Sequence, residues 1–473
     1  MSQRNLAWLI VVPAVVLFTG VFTFTAPPPE QDYKMVRTVV DVLAEVDKSY
    51  YRELTAEEKK KLVEDMINGG LHSLDPYAEY FNEERLKQFS DDNKGTFGGI
   101  GVYLDVDART GLLKIDNTSY DSPAAEKGLL ADDLIAKIDG AGTGDMSVDD
   151  ARGKIKGEPG TSVTLTIRRA GVKEPFDVTV TRRAMQTHPV KGFRRKPEEQ
   201  GKWDYFADPE NKIALIRLAE FNETSGKEVE AAVKEVVAAG AKGLVLDMRG
   251  NPGGLLRVAE HISDLFLADG FIVRTRDRHN TGRDVKAKKD GTAWEDAGKL
   301  PMAVLVDRQS ASAAEIVAAA LQDNGRAVVV GERSYGKGSV QRSIESPDGK
   351  SALKLTTEKW FTPKERNIDR PANGKAKPGD TWGVDPDDGF EVKITEEQLW
   401  QLILHMREAE MPRKASGEAP KEPEAKPDPS KPKRPELPKL DPNFKDPVLE
   451  KALEHLRAKA KTARLRGLLR GPA

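Results

Sequence analysis

The sequence predicts an α+β chain of several domains: a helical N-terminal region, a small β-rich domain and a larger core of alternating strands and helices. Three observations predict it. In the C-terminal half the apolar runs IALIRLAEF, GLVLDM, PMAVLVD and AVVVG alternate with helical stretches such as TSGKEVEAAVKEVVAAG, which ends at Gly240. That alternation is the pattern of parallel strands joined by crossover helices. Between Gly95 and Arg183, GTFGGIGVYLDV supplies a Gly-rich turn feeding an alternating strand, and GEPGTSVTLTIRR supplies a Pro-Gly hairpin. From Tyr33 to Phe89 the apolar residues Val36, Val39, Val40, Val42, Leu43 and Val46, then Leu62, Met66, Ile67 and Leu71, recur at helical spacing.

In chain order the expected parts are residues 1–30 as a membrane segment, 31–94 as the helical region and 95–183 as the small β-rich domain. Residues 184–411 form the core, 412–445 a linker and 446–473 a final helix. Leu6 to Ala26 is uncharged and long enough to cross a bilayer, with Arg4 before it and Glu30 and Asp32 after it. The charge order puts the N-terminus inside and the bulk of the chain outside, anchored at the inner membrane and facing the periplasm or extracytoplasmic space. A cleaved signal peptide is the competing reading, but cleavage after Ala26 would place bulky Phe24 where a small residue is preferred. Pro412 to Pro438 is rich in Pro, Lys and Glu and cannot bury a core. Beyond it Val448, Leu449, Ala452, Leu453 and Leu456 mark one apolar side of a basic helix, which either docks on the core or lies on a membrane surface.

A net charge of −2 over 473 residues gives no nucleic-acid signature. The absence of cysteine removes thiol catalysis and cysteine-based zinc sites. Six histidines form neither a recognisable triad nor a metal-type pair. No metal, nucleotide or organic cofactor is implied.

Chemistry concentrates in two segments, VLVDRQSASAAEIVAAALQD around Ser312 and RAVVVGERSYGKGSVQ around Lys337. A serine hydroxyl needs an adjacent base, and lysine can serve only if burial lowers its pKa. Gly336 and Gly338 let the backbone bring Lys337 close, and Gln341, an even number of residues on, would share the lysine's face of a strand. The helix after Ser312 offers free N–H groups for an oxyanion. Other readings exist for the same residues. Ser312-x-x-Glu315 is also a capping box. The run from Gly331 to Lys337 nearly spells a phosphate-binding loop, but Gly338 stands where the magnesium-binding hydroxyl belongs. Ser334-x-x-Lys337 lacks the accompanying motifs of penicillin-recognising enzymes.

Together these segments resemble the active-site region of the C-terminal processing peptidases, also called tail-specific proteases. The resemblance implies a nucleophile at Ser312, the middle serine of its stretch, a base at Lys337 and an orienting amide at Gln341. Ala314 stands where that family often has a third serine. GLVLDMRGNPGGLL resembles the family's Asp-Leu-Arg-x-Asn-Pro-Gly-Gly-Leu stretch, with Gly253 or Gly254 donating an oxyanion N–H beside Ala313. LHSLDPYAEYF resembles the stretch that precedes the family's peptide-binding module. KLTTEKWFTPKERNIDR resembles a Tyr-Thr-Pro-x-Gly-Arg-x-Ile region, with Glu365 where glycine is usual.

Residues 95–183 are similar to a PDZ domain, which adds a peptide as a strand and holds its terminal carboxylate on backbone N–H groups. Here Gly98, Gly99, Ile100, Gly101 and Val102 would form that loop. The core is expected to be the crotonase-like β/α fold of these relatives. The implied function is a serine endopeptidase for proteins with exposed apolar C-termini, forming a homo-oligomer and open to an activating adaptor. The alternative is a catalytically silent PDZ adaptor.

Overall fold

The computed structural model describes residues 30–469, apart from 108–109, 120–121, 145, 197–198, 200, 289–297, 299, 372–379 and 411–439. The segment from Leu6 to Ala26 and most of the Pro-rich stretch lie outside the described residues. Among the described residues no helix is long and apolar enough to cross a membrane. The chain divides into two compact units, residues 1–73 and 74–473.

The first unit holds helix α1 (Glu30–Ser49) and nearly all of α2 (Ala56–Leu74). Thr55 and Glu58 start α2 reciprocally: Glu58 N–H donates to Thr55 Oγ1 at 3.2 Å and Thr55 N–H to Glu58 Oε2 at 2.9 Å. The predicted helical spacing is present. Its apolar stripe on α1, including Val36, Val39 and Val40, is exposed.

The second unit opens with β1 (Glu79–Phe81) and α3 (Glu83–Lys94), which Asn82 caps through Arg85 N–H. The small β-rich domain follows as β2 (Thr96–Gly99), β3 (Val102–Val106), β4 (Leu113–Thr118), β5 (Leu134–Ile138), α4 (Val148–Ile155), β6 (Ser162–Arg168), β7 (Phe176–Thr181) and β8 (Arg183–Gln186). Strands β3, β4, β5, β6 and β7 are neighbours in that order in an antiparallel sheet, while β2 pairs with β8. Alternation puts Leu113 and Ile115 on β4 and Val163, Leu165 and Ile167 on β6 into one core. Strand β3 lies at the sheet's edge.

The core carries β9 (Ile213–Leu218), α5 (Ser225–Ala238), β10 (Gly243–Asp247), α6 (Leu256–Phe266), β11 (Phe271–Asp277), β12 (Met302–Val306), α7 (Ala313–Asp323), β13 (Val328–Gly331), β14 (Ser339–Glu345), β15 (Ala352–Phe361), α8 (Glu396–Glu410) and α9 (Pro447–Leu469). As the alternation predicted, β9, β10, β12 and β13 are parallel neighbours. One face of this sheet buries Ala214, Ile216 and Leu218 beneath α5, α6 and α7. The other face, with Ile213, Leu215, Val245 and Leu305, receives Val448, Leu449, Ala452, Leu453 and Leu456 of α9. Docking on the core is therefore where the final helix's apolar side goes. Helix α7 is buried from Ala313 to Leu321, and its run of alanines is what lets it sit so deep. A second sheet orders β1, β15 and β11, with β14 also paired to β15.

Glu365 departs from the expected glycine, and its φ of 63° shows why glycine suits the position. Its N–H closes a turn onto Thr362 O at 2.8 Å. The left-handed region costs a side-chain-bearing residue about 1–2 kcal/mol. The long 3.5 Å pair with Arg274, in which the Glu365 side chain is mostly exposed, returns little. Glu365→Gly should therefore stabilise the protein by about 0.5–1 kcal/mol after the added unfolded-state freedom of glycine. The urea unfolding midpoint should rise; an unchanged or lower midpoint contradicts this account of the turn.

Candidate active site

Ser312 sits where the turn after β12 enters α7, with φ 54° and ψ −112°. A serine held at positive φ is strained by about 1–3 kcal/mol and must be fixed by its surroundings. The fixing comes from the parallel neighbour. Ala311 N–H donates to Asn251 O at 2.9 Å, the buried Ser310 hydroxyl donates to Met248 O at 2.9 Å, and Gly250 N–H donates to Asp307 Oδ1 at 3.0 Å. The turn after β10 and the turn after β12 are thus laced together at the C-terminal ends of adjacent strands.

Asn251 organises the Pro-Gly-Gly turn. Its buried amide donates to Leu218 O at 2.7 Å and accepts Gly253 N–H at 2.8 Å. Gly253 has φ 98°, and a Cβ there would lie 2.8 Å from Ser312 Cβ and 3.0 Å from Ala313 N. Only glycine allows this approach. Among the described residues the N–H groups of Gly254 and Ala313 have no protein acceptor, whereas that of Gly253 is committed to Asn251.

The buried carboxylate of Glu315 joins the two candidate segments. Oε2 accepts Ser312 N–H and Lys337 N–H, each at 2.8 Å. Oε1 accepts Gly336 N–H at 2.6 Å and the Ser334 hydroxyl, which itself accepts Val384 N–H at 2.7 Å. Glu315 does meet the Ser312 N–H, as the capping reading required, but the same carboxylate also holds the loop that carries the lysine. Burial pushes its carboxyl above the usual range, opposed by the four donors. The sequence reading placed Glu315 only as a helix-cap partner; the residues that recruit it from the lysine loop are distant in sequence.

Lys337 is half-buried. Burial, with Lys354 nearby, lowers its pKa from the ordinary lysine value, and Asp75 and Glu315 oppose the shift. Its Nζ lies 4.6 Å from the centre of the Tyr77 ring, and among the described residues no hydrogen bond joins it to Ser312 or Gln341. Tyr77 therefore belongs to the site, in the LHSLDPYAEYF stretch that the sequence reading noted without giving it a role. Asp75 ties that stretch to β15 by accepting Thr356 N–H at 3.2 Å.

Gln341 is engaged within its own sheet. Its amide nitrogen donates to Ser339 Oγ at 2.8 Å and Thr356 Oγ1 at 3.0 Å. The physical reason lies in where the strand starts: β14 begins only at Ser339, so Lys337 lies before it in the Gly336–Gly338 loop. A period of two cannot be counted from a loop residue into a strand.

In the β-rich domain, Gly99, Ile100, Gly101 and Val102 border a cavity of about 870 Å3. Ile100 turns its side chain into the domain core, leaving only its backbone to the cavity. Gly98 has another task. A Cβ there would stand 1.9 Å from Gly157 O, and its own carbonyl accepts Gly157 N–H at 3.2 Å, locking the loop to the end of α4.

Comparison with known proteins matches residues 212–388 to peptidase family S41 and residues 118–169 to a PDZ domain. The chain is 37% identical over 351 residues to the carboxy-terminal-processing protease of Bartonella bacilliformis, covering 73% of this chain and 75% of that protein. It is 33% identical over 368 residues to the carboxy-terminal processing protease CtpA of Bacillus subtilis, covering 76% and 74%. It is also 34% identical over 313 residues to the carboxyl-terminal-processing protease of a Synechocystis species, covering 66% and 69%. The silent-adaptor reading is not favoured by this company. The chain belongs to peptidase family S41, as a serine-type protease of the carboxy-terminal processing group that carries a PDZ domain.

Proposed function

We propose that this protease cuts protein substrates presented by their C-termini, with Ser312 as nucleophile and Lys337 as base. The observation that carries the assignment is the single carboxylate of Glu315, bound to the backbone of both Ser312 and Lys337. Ser312 Oγ attacks the scissile carbonyl carbon while its proton passes to neutral Lys337 Nζ. The N–H groups of Ala313 and Gly254 receive the oxyanion, because Gly253 N–H is already given to Asn251. Collapse of the intermediate breaks the C–N bond, and Lys337 returns the proton to the leaving amine. Water then repeats the sequence on the acyl-enzyme.

The described arrangement reads as a resting one. For the first step Lys337 leaves the face of Tyr77, and Gln341 exchanges Ser339 and Thr356 for the lysine it is proposed to orient. We further propose that Leu6–Ala26 anchors the chain with its catalytic part on the extracytoplasmic side, as a homo-oligomer that an adaptor can activate.

The test uses the full chain in detergent micelles with an unfolded protein ending in apolar residues. Wild type should cleave it, Ser312→Ala and Lys337→Ala should not, and changing the substrate's last residues should slow cleavage. Cleavage surviving in both variants would move the chemistry elsewhere. Glu315→Gln places an NH2 group against N–H donors and should lower kcat by about 10²-fold, the cost of a displacement near 1 Å. A variant with wild-type kcat removes Glu315 from the account.

Only neutral Lys337 can act as base, so kcat/KM should rise with pH along a one-proton limb whose midpoint lies below the ordinary lysine value. The charged groups nearest in effect are Lys354, which lowers that value, and Asp75 and Glu315, which raise it. Lys354→Met removes a repelling charge and should carry the limb to higher pH. A limb that stays or moves to lower pH contradicts the assignment of the base.

A further inference from the structure

The cavity beside the PDZ loop has two walls, and only one belongs to the PDZ domain. On one side stand Gly99 to Leu104 with Arg152 and Ile155 of α4 and Lys156 just past its end. On the other stand Ile403, Met406, Arg407 and Glu410 of α8, a helix of the peptidase portion. Its volume, about 870 Å3, is within the usual range for ligand sites, so α8 roofs the groove without filling it.

Two sets of ion pairs set α8 in place. Arg407 Nε donates to Asp116 Oδ2 at 2.7 Å and Nη1 to Asp105 Oδ2 at 3.1 Å, reaching β4 and β3. Glu410 accepts from Lys191 at 2.6 Å and Arg217 at 3.0 Å in the core. Asp116 is available for this because it is the extra residue where the β3–β4 register shifts, and a bulge re-aims its side chain.

Strand period decides what each wall can read. On β3, Val102, Leu104 and Val106 pack toward the PDZ core, while Tyr103 is half-exposed and Asp105 meets Arg407. A tail added to the edge of β3 alternates in the same way. Its last and third-from-last side chains enter the PDZ pocket near Ile155. Its second- and fourth-from-last side chains turn toward Tyr103 and α8.

We propose that α8 is a second specificity wall, reading alternate residues of the substrate tail and favouring apolar side chains there through Ile403 and Met406. This rests on the PDZ groove being the tail-binding site. Ile403 is 44% exposed, so truncating it removes surface and not core.

The experiment measures fluorescent-peptide binding by anisotropy to the full chain carrying Ser312→Ala, with and without Ile403→Ala and Met406→Ala. The probes are decapeptides with a free carboxylate: one ending in apolar residues, one with aspartate as last residue, and one with a large apolar second-from-last residue replaced by alanine. The aspartate ending should abolish binding to both proteins, which reports on the groove itself. The alanine exchange should weaken binding about 5–10-fold with intact α8 and less than twofold with the truncated helix. Equal weakening in both proteins overturns the second wall while leaving the PDZ groove standing. Tighter binding to the truncated helix, whatever the second-from-last residue, would make α8 a plug and also overturn the proposal. Binding indifferent to the last residue would sink the groove reading and this proposal together.

Discussion

The site depends on one buried carboxylate. Glu315 lies on the first turn of α7, and its two oxygens gather the backbone N–H groups of Ser312, Gly336 and Lys337 with the Ser334 hydroxyl. Its position follows from helix geometry, since three residues past the start of a helix a side chain can reach back to the entering N–H. That it also holds a loop from the next strand follows from the parallel neighbours β12 and β13, which deliver both turns to one end of the sheet. Ligands and catalytic groups in such sheets gather at this end for the same reason. Leaving those N–H groups unpaired inside the protein would cost more than burying one carboxylate that satisfies all of them.

A second buried charge cluster fixes the scaffold on the opposite face. Arg249, next to the Pro-Gly-Gly turn, is nearly inaccessible and binds Asp247 at 2.9 and 2.7 Å and Asp446 at 3.1 and 2.8 Å. Asp446 also accepts Val448 N–H and Leu449 N–H, starting α9. The turn that carries Gly253 and Gly254 is thereby tied to the last helix of the chain. Such a cluster adds little net stability over a well-packed apolar one, but it fixes which residues meet.

Against these rigid parts, the side chains proposed to move are few. Lys337 rests on Tyr77, and Gln341 rests on Ser339 and Thr356, while the backbone that carries the lysine is already clamped. Assembly of the proposed dyad would ask for side-chain rotation on the lysine's part, with Gln341 held by its two hydroxyl partners. Helix α8 joins the PDZ domain to the peptidase portion, Arg407 pairing with Asp105 and Asp116 on one side and Glu410 with Lys191 and Arg217 on the other.

The sequence by itself determined the alternation of parallel strands with helices, the PDZ pattern, the helical spacing of the N-terminal region and the residue types around Ser312 and Lys337. Those are local properties, set by period, turn chemistry and motif. The sequence left Gly253 and Gly254 equivalent, placed Gln341 on the lysine's face, and gave Glu315 no task beyond a helix start. The tertiary structure decided each of these. Asn251 takes one glycine's N–H, the Ser339 and Thr356 hydroxyls take the Gln341 amide, and the lysine loop arrives on Glu315 from a neighbouring strand. Tyr77 likewise meets Lys337 from far along the chain. Long-range contacts of this kind carry no periodic trace in the chain, because they depend on how separate elements stack and not on the spacing within any one of them.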